Sequence, residues 1–151
     1  MECLIRGATQ EDAAAISQVI VAALRESNAR DYSAEIIEAV ERSFSPGAVV
    51  RLIEQRQVFV AVLGGRVVGT AGLDGDTVRS VFVAPGYQGG GIGRLLMERV
   101  EGVAVRGGVG RLRVPSSITA VGFYLSLGFS KVRNKYHEGE RTIIMEKKID
   151  R

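Results

Sequence analysis

Apolar positions along this chain switch repeatedly between compact runs and the spacing of an amphipathic helix. Leu4-Ile5-Arg6 predicts a short first strand. Ala13, Ile16, Val19, Ile20, Ala23 and Leu24 then recur at helical spacing. They follow Thr9, an N-cap with Asp12 three residues on, although Asp partners such a cap less well than Glu. Ser27–Asp31 reads as a loop. Ser33 caps a second helix with Ile36, Ile37 and Val40 on one face, and Ser45-Pro46-Gly47 breaks it. Val49–Glu54 shows no clear period and fits a short helix.

Val58–Leu63 and Arg66–Leu73 predict a strand pair turned at Gly64-Gly65. Gly69 and Gly72 weaken the second strand and mark a place where something packs closely. After the turn Asp74-Gly75-Asp76, Thr77–Val83 is the next strand. A glycine cluster follows, and then Ile92, Leu95, Leu96, Val100, Val103 and Ala104 mark a helix ended near Gly107-Gly108. Arg111–Val114 is a strand ended by Pro115. Ser116 or Ser117 caps a short helix carrying Ala120, Phe123, Tyr124 and Leu127, which Gly128 stops. Phe129–Val132 and Thr142–Lys147 form a last strand pair around an Asn134–Glu140 loop. The order β-α-α-β-β-β-α-β-α-β-β predicts a mixed α/β or α+β architecture, with one domain over residues 1–151.

At 46% hydrophobic and 25% charged residues, the composition is that of a soluble globular chain. No signal peptide is visible, and no apolar run reaches the roughly 18 residues of a membrane span. A lone cysteine, Cys3, excludes an internal disulfide framework and a Cys-rich zinc site, so a reducing, cytoplasmic setting is expected. Cys3 reads as a core or terminal residue, not a nucleophile. The net charge of +3 is too small to argue for nucleic acid bound through Arg106, Arg111, Arg113, Lys131, Arg133 and Lys135, which no aromatic stacking motif accompanies. The charge is split, however. Residues 1–75 carry 7 basic and 10 acidic side chains, and residues 76–151 carry 13 and 7. Such a division favours ligands of opposite sign at the two halves.

Of 19 glycines, five fall within Gly86–Gly93, between the strand ending Val81-Phe82-Val83 and the helix opening at Ile92. A strand, a glycine-dense turn and a helix N-terminus together present free backbone N–H groups to an anion, and the helix dipole adds to the attraction. Glycine lets the backbone approach closely where a Cβ would intrude. A Walker A loop is excluded, because Ile92-Gly93 stands where Lys-Ser/Thr is required. A dinucleotide Gly-x-Gly-x-x-Gly also fails, with Arg94 or Leu96 at the sixth position. The pattern that fits is Gln88-x-x-Gly91-x-Gly93.

That segment, with Val83-Ala84-Pro85 before it, resembles the acetyl-CoA motif Arg/Gln-x-x-Gly-x-Gly/Ala of the GNAT (GCN5-related) N-acetyltransferases. A second stretch, Ser117-Ile118-Thr119-Ala120-Val121-Gly122-Phe123-Tyr124-Leu125-Ser126-Leu127-Gly128-Phe129, resembles the family's Asn-x-x-Ala-x-x-Phe-Tyr-x-x-x-Gly-Phe, with Ser117 in the Asn position. The resemblance implies a mixed, mostly antiparallel sheet flanked by helices, with a β-bulge opening a V between the strands 78–83 and 111–114. It implies acetyl-CoA as co-substrate, a small-molecule or peptide amine as acceptor, and direct transfer without a covalent enzyme intermediate or a metal. Phosphates would meet Gln88, Gly89, Gly90, Gly91, Ile92, Gly93 and Arg94. Phe82 or Val83 would supply the amide that polarises the thioester, and Ser117 would meet the pantetheine arm. Tyr124 resembles the family's general acid. The family's base is not written in the strand 78–83, which leaves Asp74 and Asp76 in the preceding turn as candidates, Asp76 the one favoured. Tyr32 and His137 are candidates for the acceptor site. Homodimers are common in such folds. The competing reading is a regulatory domain that binds acyl-CoA without turnover.

Overall fold

The computed structural model describes residues 2–137 and 139–150. Seven strands form one sheet among them: β1 (Cys3–Gly7), β2 (Gln57–Leu63), β3 (Arg66–Asp74), β4 (Thr77–Val83), β5 (Arg111–Ser116), β6 (Ser130–His137) and β7 (Glu140–Lys148). Their order across the sheet is β1-β2-β3-β4-β5-β7-β6. Neighbours are antiparallel except β4 and β5, which are parallel. A parallel pair needs a crossover, and here it is the helix α4 (Ile92–Arg106). The other helices are α1 (Ala13–Glu26), α2 (Ala34–Arg42), α3 (Pro46–Gln55) and α5 (Val121–Ser126).

The sheet's two faces carry two cores, because successive strand residues point to opposite sides. Phe59 and Ala61 of β2 join Leu96, Met97 and Val100 of α4, Tyr124 of α5, and Leu112 and Met145. Val60, between them, joins Ile16, Ile20 and Leu24 of α1, Ile37 of α2 and Val49 of α3. The anticipated close approach lies at Gly69, where a Cβ would meet Leu96 Cδ1 at 3.1 Å, Ile92 Cγ2 at 3.2 Å and the Phe82 carbonyl at 3.3 Å. This absent side chain brings α4 onto the centre of the sheet.

Several local expectations hold, and others are corrected. Ser33 Oγ accepts from Ile36 N at 3.3 Å and opens α2. The Thr9 amide donates to Asp12 Oδ2 at 2.8 Å, but the turn it closes is a 3-10 segment, Gln10–Asp12, that leads into α1. Arg6 grips the same carboxylate at 2.8 and 3.0 Å and holds it below the usual carboxylate pKa. Ser45-Pro46-Gly47 does not merely end a helix; it begins α3. Ser45 Oγ accepts from Ala48 N at 3.2 Å, and Pro46 occupies the first turn, where its missing N–H costs no intrahelical bond. The Asn134–Glu140 segment is mostly strand, with Asn134↔Ile143 and His137↔Glu140 in register. Every residue of β6 is exposed, so it lies at a sheet edge with no buried face and no apolar alternation to betray it.

Replacing Gly69 with valine should destabilise the fold by about 1–3 kcal/mol, because Leu96 and Ile92 must move from a packed interface. Chemical denaturation checks this; an unchanged midpoint would refute the close packing.

Candidate active site

β4 and β5 are joined by one pairing, Thr77↔Arg113, with Arg113 N donating to the Asp76 carbonyl at 3.0 Å. Beyond that rung no pairing continues, and two residues explain why. Opposite Ala71 of β3, β4 carries two residues, Ser80 and Val81, between the pairs Thr70↔Phe82 and Gly72↔Arg79. Ser80 has φ 55°, the only positive φ of a non-glycine among the described residues, and the bulge bends β4 away. On β5, Pro115 lies two residues past Arg113, so its nitrogen faces the same side and offers that side no N–H. β5 continues through Pro115 because it still pairs with Ile144 of β7 on its other edge, which corrects the expectation that the proline ends it. The divergence leaves a cleft of about 800 Å³.

At one end of the cleft, α4 begins. Gly91 is its N-cap at φ 86°, and Gly89 stands at φ 82°. Gly89, Gly91, Ile92, Gly93 and Arg94 line the cleft, and Gly90 does not. The first amides of α4 have no partner within the helix, and the positive end of the helix dipole lies there. Gly93 has a packing duty as well, since a Cβ there would stand 3.0 Å from the Phe123 ring. Gln88 also lines the cleft, but its amide is engaged by the protein, donating to the Val83 carbonyl at 3.0 Å and to Ser27 Oγ at 3.2 Å. It therefore ties the glycine loop to the ends of β4 and α1.

The open edge of β4 distinguishes Phe82 from Val83. Ala84 N donates to the Val68 carbonyl at 2.8 Å, so by alternation Phe82 turns its amide to β3. Val83 turns to the other side, as the Gln88 bond to its carbonyl requires. The side chains separate too. The Phe82 ring meets Phe44 edge-on at 5.9 Å, and Val83 packs on the α4 side.

Tyr124 is 4% exposed, with its ring held edge-on by Phe123 at 5.1 Å and Phe129 at 5.5 Å. It lines the cleft. No hydrogen bond reaches its hydroxyl among the described residues, yet no sealed orphan atom exists there, so the hydroxyl opens to the cleft. Burial pushes its pKa far above the usual phenol value and keeps it protonated. Ser117 Oγ accepts from Ala120 N at 3.2 Å, which leaves its proton available to the cleft it lines.

Tyr32 is a clasp. Its hydroxyl accepts from Ile118 N at 2.7 Å and donates to the Arg141 carbonyl at 3.1 Å. Beside it, Thr119 Oγ1 donates to Asp31 Oδ2 at 2.7 Å. These bonds join the α1–α2 segment on one side of the cleft to the β5–α5 turn and β7 on the other. Burial, with the nearby charges of Glu140 and Asp31, raises the Tyr32 pKa against the lowering effect of Ile118 N–H. His137 ends β6, exposed, and Asp76 sits at the closed end of the V; neither lines the cleft. Two lining residues that the sequence reading missed are Asn28 and Glu140. Loop position hid the first, and the misplaced hairpin hid the second.

Among the described residues no cluster of His, Cys, Asp or Glu is arranged to hold a metal, and no helix is long and apolar enough to cross a membrane. A family model for the acetyltransferase (GNAT) domain matches residues 28–149. No match is found among curated proteins. Among solved structures, a GCN5-related N-acetyltransferase from Rhodopseudomonas palustris aligns at TM-score 0.92 and 27% identity, over 98% of this chain and 96% of that one. The PaiA N-acetyltransferase from Thermoplasma acidophilum, solved in complex with coenzyme A, aligns at TM-score 0.83 and 23% identity over 98% and 99%. The ribosomal-protein-S18-alanine N-acetyltransferase from Escherichia coli shares the fold at TM-score 0.70 and 21% identity over 99% and 96%. This split sheet with its crossover helix is the fold shared with these acetyltransferase structures. The chain belongs to the GNAT acetyltransferase family.

Tyr32→Phe should lower stability by about 1–3 kcal/mol, because the Ile118 N–H loses its partner. Unfolding in denaturant measures this, and wild-type stability would remove the clasp.

Proposed function

We propose that this protein transfers an acetyl group from acetyl-CoA directly to a primary amine. The observation that carries the reading is the alignment along one cleft of an anion cradle at α4, an open strand edge at Val83 and a buried, unpartnered Tyr124 hydroxyl. The amides of Gly89, Gly91 and Gly93 receive the phosphates, with Arg94 beside them. Val83 and the edge of β4 pair with the peptide-like pantetheine arm as an added strand would, while Ser117 offers its hydroxyl from the other wall. An amide of β4 facing the cleft polarises the thioester carbonyl; Val83 has that orientation, and Phe82 does not.

The attacking amine must be neutral. Its lone pair forms the C–N bond as the C–S bond breaks, and Tyr124 gives its proton to the departing thiolate. The proton shed by nitrogen restores Tyr124 through water, so no covalent enzyme intermediate is needed. Tyr124 is a protonated phenol at neutral pH and so carries the proton this role gives up. Asp76 lies outside the cleft lining and takes no part in this reading.

Gly91→Val should abolish the protection that acetyl-CoA gives against thermal unfolding, since φ 86° disfavours any β-branched residue and the cradle loses its shape. Retained protection would sink the phosphate assignment. Tyr124→Phe should slow CoA release by about 10²-fold or more while cofactor protection persists. A wild-type rate would remove the acid role.

A further inference from the structure

Beyond the cofactor groups, the cleft has an end with a different lining. Ile36 and Val40 of α2 wall it together with Phe44 and Phe82. Among the cleft's polar lining residues, two bear on an amine. Asn28 is 8% exposed, has no side-chain hydrogen bond among the described residues, and is not a sealed orphan, so its amide reaches the cleft. Glu140, at the start of β7, is the one carboxylate residue among those lining the cleft, and its carboxylate makes no ion pair or hydrogen bond among the described residues.

We propose that Glu140 receives the ammonium group of the acceptor, and that the acceptor is a small monoamine on an apolar body, an alkyl or arylalkyl amine. This rests on the transferase reading above. One free carboxylate matches one cationic nitrogen. A polyamine or an aminosugar carries further charged or polar groups, and these would be desolvated against Ile36, Val40, Phe44 and Phe82 without partners. Asn28 adds a polar amide to the same cleft. The clasp of Tyr32 and Asp31 joins the two walls beside this end, which suits a small molecule better than an extended peptide. Glu140 belongs to a hairpin end, so changing it leaves both cores untouched.

The test uses the full chain, saturating acetyl-CoA and four acceptors: 2-phenylethylamine, n-hexylamine, spermidine and a tripeptide with a free α-amine. CoA release should show kcat/KM for the first two at least about tenfold above the others, equivalent to about 1.4 kcal/mol. Glu140→Gln should raise the KM for 2-phenylethylamine by about tenfold, with kcat and the KM for acetyl-CoA little changed. Glu140→Asp should recover part of the loss. A preference for spermidine or the tripeptide, or an unchanged amine KM in Glu140→Gln, overturns this assignment and leaves the transferase reading standing. Thermal protection by acetyl-CoA without turnover on any of the four overturns both.

Discussion

One rung, Thr77 against Arg113, is all that joins β4 to β5, and the rest of the site depends on the ladder stopping there. A continuous sheet would have no gap and no cleft. The interruption is encoded twice. Ser80 takes a left-handed conformation that costs energy for a residue with a side chain, and the surrounding register enforces it. Pro115 removes a donor on the side where one would otherwise invite pairing. Once the strands diverge, the α4 N-terminus stands at one end of the gap, the β4 edge along it, and Tyr124 in its wall.

The glycine loop was legible because its chemistry is backbone chemistry, and only glycine supplies it. Most elements were legible from apolar spacing. The sheet's split was expected from the family resemblance alone, because apolar spacing does not encode it. Ser80 looks like any polar strand residue, since nothing local announces a positive φ, and only the pairing with β3 forces it. Gln88 has a structural tie that its motif position does not disclose. Its motif position suggests phosphate, whereas in three dimensions its amide meets Val83 and Ser27. Glu140 was hidden because the edge strand β6 has no apolar alternation, so the hairpin seemed to be a long loop. The α3 start was misread because serine and proline mark helix beginnings and helix ends alike, and the hydrogen bond to Ala48 decides between them.

Electrostatically, the cleft contrasts with the rest of the molecule. Elsewhere polar side chains near the interior are paired: Arg6 with Asp12, Arg113 with Glu146, Lys147 with Glu101. In the cleft, the Tyr124 hydroxyl, the Asn28 side-chain amide and the Glu140 carboxylate make no hydrogen bond or ion pair among the described residues. None of them is sealed from the cleft, so water or a ligand can meet them there, and their gathering along one cleft suits ligand binding.

The single rung also has a mechanical meaning. β1–β4 with α1–α3 form one plate, β5–β7 form another, and the backbone of the sheet crosses between them at Thr77 and Arg113. Away from that point the plates are linked by side chains and by the Tyr32 clasp. A rung at one end and a clasp across the opening bracket the gap, and the core that Phe59 and Ala61 share with Leu112 and Met145 spans both plates on one face, so the width of the cleft is held from three sides.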